Sequence, residues 1–105
     1  MKGNLNALMA RAAKVQQNLQ RLQAELGKVE VTGEAGGGKV KVTLTCKYKC
    51  RSVQIDPSLY AEDQDMIEDL VTAALTDALE QVEKTTQERM KVATAGMPMP
   101  PGMGF

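Results

Sequence analysis

The sequence predicts an α+β fold in which a long N-terminal helix leads into a three-stranded antiparallel sheet and a second long helix closes the chain. Three observations carry this expectation. The first 26 residues hold an unbroken heptad seam, the patterning between Val29 and Ile55 changes to a period of two, and helical spacing returns after Asp56-Pro57.

The first helix is read from Leu5, Leu8, Ala12, Val15, Leu19, Leu22 and Leu26, whose gaps alternate three and four without a break. Such a seam over three heptads asks for packing against another helix. The helix is expected from about Asn4 to Leu26, with Gly27 as a left-handed cap. The strands are read from Val29-Glu30-Val31-Thr32, from Lys39 to Cys46, and from about Cys50 to Ile55. The run Gly33-Glu34-Ala35-Gly36-Gly37-Gly38 reads as the first hairpin loop, since glycine takes positive φ without a steric cost. Lys47 to Lys49 makes the second connection.

Asp56-Pro57-Ser58 stops the sheet, because proline cannot donate to a ladder and an Asp-Pro pair opens helices. The early turns of the second helix carry Glu62, Asp63, Asp65, Glu68 and Asp69, where the positive pole of the helix dipole favours carboxylates. Its apolar stripe is Met66, Ile67, Leu70, Val71, Ala74, Ala78 and Val82, and the helix is expected to reach Lys91. Residues 1–94 are read as one domain, consistent with a domain size of about 100 to 150 residues. The Met-, Pro- and Gly-rich run of residues 95–105 is read as a flexible tail.

Geometry adds a constraint. A helix of about 23 residues runs to about 35 Å, whereas strands of 5 to 7 residues cover only about 16 to 24 Å. The helices must overhang the sheet, so their apolar seams pair with each other, with a second subunit, or with both. Projecting arms on a dimeric core are the simplest architecture that satisfies this. An aliphatic core with a single Phe and no Trp points the same way, because small cores lean on partners.

Thirteen basic and thirteen acidic residues leave no net charge, yet their positions are segregated. Met1 to Arg51 holds ten cations against Glu25, Glu30 and Glu34, and Ser52 to Phe105 holds ten acids against Lys84, Arg89 and Lys91. Such a split marks chains that bind nucleic acid or membrane surfaces. It also fits two oppositely charged helices that attract one another. Arg11, Lys14, Arg21 and Lys28 fall on one flank beside the helix-one seam and form a basic stripe. A stripe with cations every two turns can touch several phosphates of a duplex while reading no base edge. A solvated face is the structural alternative. Lys39, Lys41, Lys47, Lys49 and Arg51 form a second basic group on the strands, for which protection of a sheet edge is the stronger reading. Lys84, Arg89 and Lys91 stand at the negative pole of helix two.

Enzymatic readings fare poorly. With no His in the chain, Cys-His and Ser-His nucleophiles and His-based metal sites are excluded. Cys46 and Cys50 offer two thiolates to a metal, or four if two subunits combine, but reduced thiols are expected of them. The acids of helix two are explained by the dipole. Gly36-Gly37-Gly38 lacks the Lys-Ser or Lys-Thr that a phosphate-cradling loop needs. No catalytic residue, cofactor, metal or small-molecule substrate is expected. No apolar run reaches the roughly 18 to 20 residues of a bilayer span, and the N-terminus lacks a signal-peptide core. A cytosolic protein with no membrane partner is the expectation.

Several segments resemble one family. Asn4-Leu5, Leu8-Met9, the run from Val29 to Gly38 and Val40-Lys41-Val42-Thr43 are similar to the first half of YbaB/EbfC proteins. Cys50 to Leu59, Met66 to Ala74 and the Gly-Met-Pro-rich terminus are similar to the second half. The resemblance implies a tweezer-like homodimer in the bacterial cytosol that binds double-stranded DNA, associates with the nucleoid, and affects DNA organisation, protection or gene expression without catalysis. One departure is Cys46-Lys47-Tyr48-Lys49-Cys50, where the family leads one to expect an Asn-Gly type of turn. Arg11, Lys14, Arg21, Lys28, Lys84, Arg89 and Lys91 are the expected DNA contacts, through helix one and the distal tips. The alternative from another class is a protein-interaction or chaperone-like adaptor dimer that uses the helical arms and the Met-rich tail.

Overall fold

The computed structural model describes residues 2–94, so the expectation of a flexible tail at 95–105 lies outside the described residues. The order of elements is helix α1 (Lys2–Leu26), strands β1 (Glu30–Ala35), β2 (Val40–Thr45) and β3 (Cys50–Ile55), a 3-10 turn (Pro57–Ala61), and helix α2 (Gln64–Ala93). All pairings are antiparallel, in the order β1-β2-β3. The α+β fold and the three-stranded sheet are thus as the patterning leads one to expect.

Helix α1 forms because Leu, Ala, Gln, Lys and Arg dominate it and neither Gly nor Pro interrupts the run from Asn4 to Leu26. Its end differs from the expected one. Gly27 is not among the positive-φ residues, and the chain leaves the helix through Lys28 and Val29, whose amides both donate to the Glu25 carbonyl at 2.8 and 3.1 Å. These tightened last bonds satisfy the carbonyl that a left-handed cap would otherwise serve.

The first hairpin is also displaced from the expected boundaries. Gly33, Glu34 and Ala35 belong to β1, pairing with Val42, Lys41 and Val40, and the loop proper is Gly36 to Lys39. Gly36, Gly37 and Gly38 hold φ of 64, 68 and 90°, a region that side chains disfavour. Gly33 has another purpose. A Cβ there would overlap the Ala78 amide nitrogen and the Ala74 carbonyl oxygen of α2, so its missing side chain is what lets the helix lie on the strand.

Alternation along the strands separates two faces. Val31, Gly33 and Ala35 share one face with Val40, Val42 and Leu44, and α2 covers it across β1 and β2. The opposite face is polar. There Thr32 and Thr43 share a hydrogen bond at 3.1 Å and Lys41 lies 3.9 Å from Glu34. A bulge between Thr43 and Leu44 leaves Arg51 outside the pairing, and this extra residue reaches Glu30 at 3.6 Å.

Asp56 stops the sheet as expected, its carboxylate accepting from the Ser58 amide at 2.8 Å, while Leu59 is buried beneath the 3-10 turn. Asp63 takes the N-cap position of α2 without a side-chain cap bond, so its carboxylate acts there through the dipole, while Glu68, one turn on from Gln64, accepts from the Gln64 side-chain amide at 2.8 Å. Ile67, Leu70, Val71, Ala74, Ala78 and Val82 face the core, whereas Met66, expected in the same stripe, is exposed. Near the C-terminal end of α2 the core receives Leu22 and Leu26 of α1.

The seam of α1 is therefore covered over only part of its length. Leu22 and Leu26 are buried, Val15 and Leu19 are half-buried, and every residue from Asn4 to Lys14 is exposed. The overhang expected from helix length is present, and the molecule measures 72 × 25 × 16 Å.

Candidate nucleic-acid interface

The basic stripe sits on the projecting helix. Arg11, Lys14, Arg21 and Lys28 are all exposed, and the ion pairs among the described residues, Lys41 with Glu34 and Arg51 with Glu30, both use cations of the sheet. Glu25 is the single acid on α1. It lies between Arg21 and Lys28 without pairing to either, so the stripe keeps a net positive edge that a duplex could follow.

The C-terminal half of α2 brings one member of the second expected group, Arg89, near Arg21 of the first. Arg21, Leu22 and Glu25 face Glu88, Arg89 and Val92 across a groove of about 600 Å³ between the two helices. Arg21 and Arg89, remote in sequence, thus line one cleft. Lys84 and Lys91, seven residues apart, lie on one side of α2, and both are exposed. Glu80, Glu83 and Glu88 are interspersed among these cations, so the α2 surface is more mixed in sign than the α1 stripe, which Glu25 alone interrupts between Arg21 and Lys28.

A further basic element lies in the β2–β3 connection. The side chain of Lys47 comes within 4.0 Å of the position a Cβ on Gly27 would take, which places the turn against the end of the α1 stripe next to Lys28. Lys47, Tyr48 and Lys49 are all exposed. The turn is held from below by Thr45, which is fully buried and whose hydroxyl accepts from the amides of both Lys47 and Lys49 at 3.2 Å. Sequence reasoning assigned these lysines to edge protection. The Lys-Tyr-Lys spacing was the available signal, but the closeness of the turn to Gly27 depends on the fold.

No group of three or more His, Cys, Asp or Glu side chains able to hold a metal occurs among the described residues. Cys46 and Cys50 are free thiols, the first buried and the second exposed. Burial pushes the Cys46 thiol up, with the Thr86 hydroxyl and the Arg89 charge opposing the shift. Such a thiol is less nucleophilic than an ordinary one. Among the described residues no helix is long and apolar enough to cross a membrane.

Comparison with known proteins gives a family match and matches among solved structures. The model of the YbaB/EbfC DNA-binding family matches residues 1–97. Among solved structures, the crystal structure of the uncharacterized protein HP0035 from Helicobacter pylori aligns with a TM-score of 0.64 at 23% identity, covering 77% of this chain and 86% of that one. At that identity the likeness supports the fold alone.

Proposed function

Because the chain belongs to the YbaB/EbfC DNA-binding family, we propose that it is a nucleoid-associated homodimer that holds duplex DNA by phosphate contacts, largely without reading sequence. The observation that carries the reading is the set of exposed cations Arg11, Lys14, Arg21 and Lys28 along one flank of α1, none of them in an ion pair among the described residues. Lys84, Arg89 and Lys91 extend it on α2 as secondary contacts. The acids opening α2 repel phosphates, which directs the duplex toward α1 and the distal tips. The family is one of DNA binding rather than catalysis, and the absence of His agrees with that.

A second copy of the chain is supported by unspent apolar surface. Leu5 and Leu8 are each 59% exposed on the arm, Leu75 and Leu79 are each 40% exposed on the flank of α2, and Val53 is 49% exposed on β3, beyond the part of the sheet that α2 covers. A subunit that left these in water would forgo about 25 cal/mol for each Å² it could bury. Dimerisation also doubles the basic stripes, giving the tweezer-like arrangement its two arms. The setting proposed is the bacterial cytoplasm, at the nucleoid.

Reversal of Arg11, Lys14 and Arg21 to Glu tests the reading. Duplex binding in a gel shift is expected to disappear while sedimentation still reports a folded dimer. In the unmodified protein, log affinity should fall linearly with log salt, with a slope of about −0.9 for each phosphate neutralised. Unchanged gel shifts of the triple variant would move the DNA surface elsewhere. Absence of duplex binding near physiological salt would favour an adaptor that binds protein.

A further inference from the structure

Tyr48 is the one non-glycine residue among those described with a positive φ, at 65°. That conformation suits Gly or Asn, and a residue with a ring at the position is sterically disfavoured. Its ring is nevertheless turned to solvent and is 62% exposed, so core packing does not account for it. Below it the turn is rigid. The Tyr48 amide donates to the Thr45 carbonyl at 2.9 Å, the Thr45 amide donates to the Lys49 carbonyl at 2.8 Å, and the Thr45 hydroxyl holds the amides on either side of Tyr48. The result is an aromatic ring set on a braced tip between two exposed lysines.

We infer that this turn is a stacking element for unpaired bases, in which the Tyr48 ring takes a base face and Lys47 and Lys49 take the flanking phosphates. An aromatic face is tolerant of base identity, and neighbouring cations supply the backbone attraction that single-stranded DNA requires. Along its length a duplex keeps its base faces stacked and offers the ring none, so only its two ends expose one. The ligand class is therefore single-stranded or gapped DNA. Lys47 adjoins Gly27, so a strand on the turn meets the end of the α1 stripe at Lys28. The bound partner would be a junction, with duplex along the helix and the unpaired strand over the turn. The inference rests on the DNA-binding reading and extends it to a second site.

The test uses the protein's own fluorescence. The chain has two tyrosines and no tryptophan, so Tyr60→Phe leaves Tyr48 as the reporter. Titration of that full-length variant with oligo(dT) is expected to quench tyrosine emission, and titration with blunt duplex is expected to leave it nearly unchanged. Tyr48→Gly relaxes the backbone, so it should melt no lower than the unmodified chain. It should bind oligo(dT) about fivefold to 150-fold more weakly, the range that loss of one stacked base implies, and retain its duplex affinity. Tyr48→Asn, also compatible with positive φ, should behave alike. Oligo(dT) that fails to quench Tyr48, or that binds Tyr48→Gly as tightly as the unmodified protein, would overturn the inference while leaving duplex binding standing. Quenching by oligo(dT) in a protein that shifts no duplex would instead uphold the stacking site and remove the duplex reading.

Discussion

Gly33 of β1 and Ala78 of α2 meet backbone against backbone, with an added Cβ on Gly33 falling only 2.7 Å from the Ala78 Cα. Real Cβ atoms do not approach backbone so closely, and neither a strand nor a helix backbone can swing aside as a flexible side chain would. The pairing of Gly33 with the small residues Ala74 and Ala78 sets the distance between sheet and helix, and with it the packing of Val42 and Val82, both essentially inaccessible to solvent.

Gly33→Ala should therefore destabilise the fold by about 1–3 kcal/mol or more, as overpacked sites do, even though Ala suits a strand better than Gly. Urea unfolding followed by circular dichroism measures it. An unchanged midpoint would show that α2 lifts from β1 at no cost.

The two halves of the α1 seam should respond differently to substitution. Leu22 is buried against α2, and Leu22→Ala should cost about 2–5 kcal/mol of stability. Leu8→Ala, on the exposed arm, should stay within about 0.5 kcal/mol for the subunit itself. Leu19→Asp, at the half-buried boundary, should disrupt the packing of α1 or the dimer. Thermal melts and sedimentation across a concentration series distinguish these outcomes. An intact, fully helical dimer of Leu19→Asp would show that the seam carries no packing.

The two thiols should differ in reactivity. Cys50, exposed, should be alkylated by iodoacetamide in the native protein, whereas Cys46, buried and with its pKa raised by that burial, should react only on unfolding. Mass spectrometry of timed samples resolves the two sites. A thiol whose pKa rises on folding favours the fold below its unfolded pKa of about 8.5 and withdraws that support as pH climbs toward the folded value. Cys46→Ser should accordingly show a shallower loss of stability between about pH 8 and about pH 10. Equal labelling of both cysteines in the native state would refute the assignment.

Asp56 should contribute to acid sensitivity. The Ser58 hydroxyl first, and the Ser58 amide second, hold the Asp56 carboxyl below its ordinary range. A depressed carboxylate supports the fold above its unfolded pKa of about 3.9, and that support is lost as pH falls through the folded value. The gap in urea midpoint between the unmodified protein and Asp56→Asn should thus be present near neutrality and shrink in acid. A gap that is the same at both would assign the effect of Asp56 to something other than its charge.

Local order was legible in the residues themselves. The heptad gaps of α1, the alternation of β2 and the Asp56-Pro57 stop repeat or terminate within a few positions, so neighbours in the chain suffice to show them. The stripe Arg11, Lys14, Arg21 and Lys28 is of the same kind, because a helix converts fixed spacing into a common side. What tertiary structure decided is each feature that joins distant residues. Gly33 looked like part of a loop until Ala74 and Ala78 stood over it, and Gly27 looked like a left-handed cap although Glu25 closes the helix without one. Lys47 to Lys49 looked like edge protection until the turn came to rest against Gly27, and Arg21 gained Arg89 as a neighbour only when α1 lay along α2. Periodicity is a property of adjacent peptide units, whereas the approach of two backbones depends on the shapes of surfaces that come together only when the chain has folded.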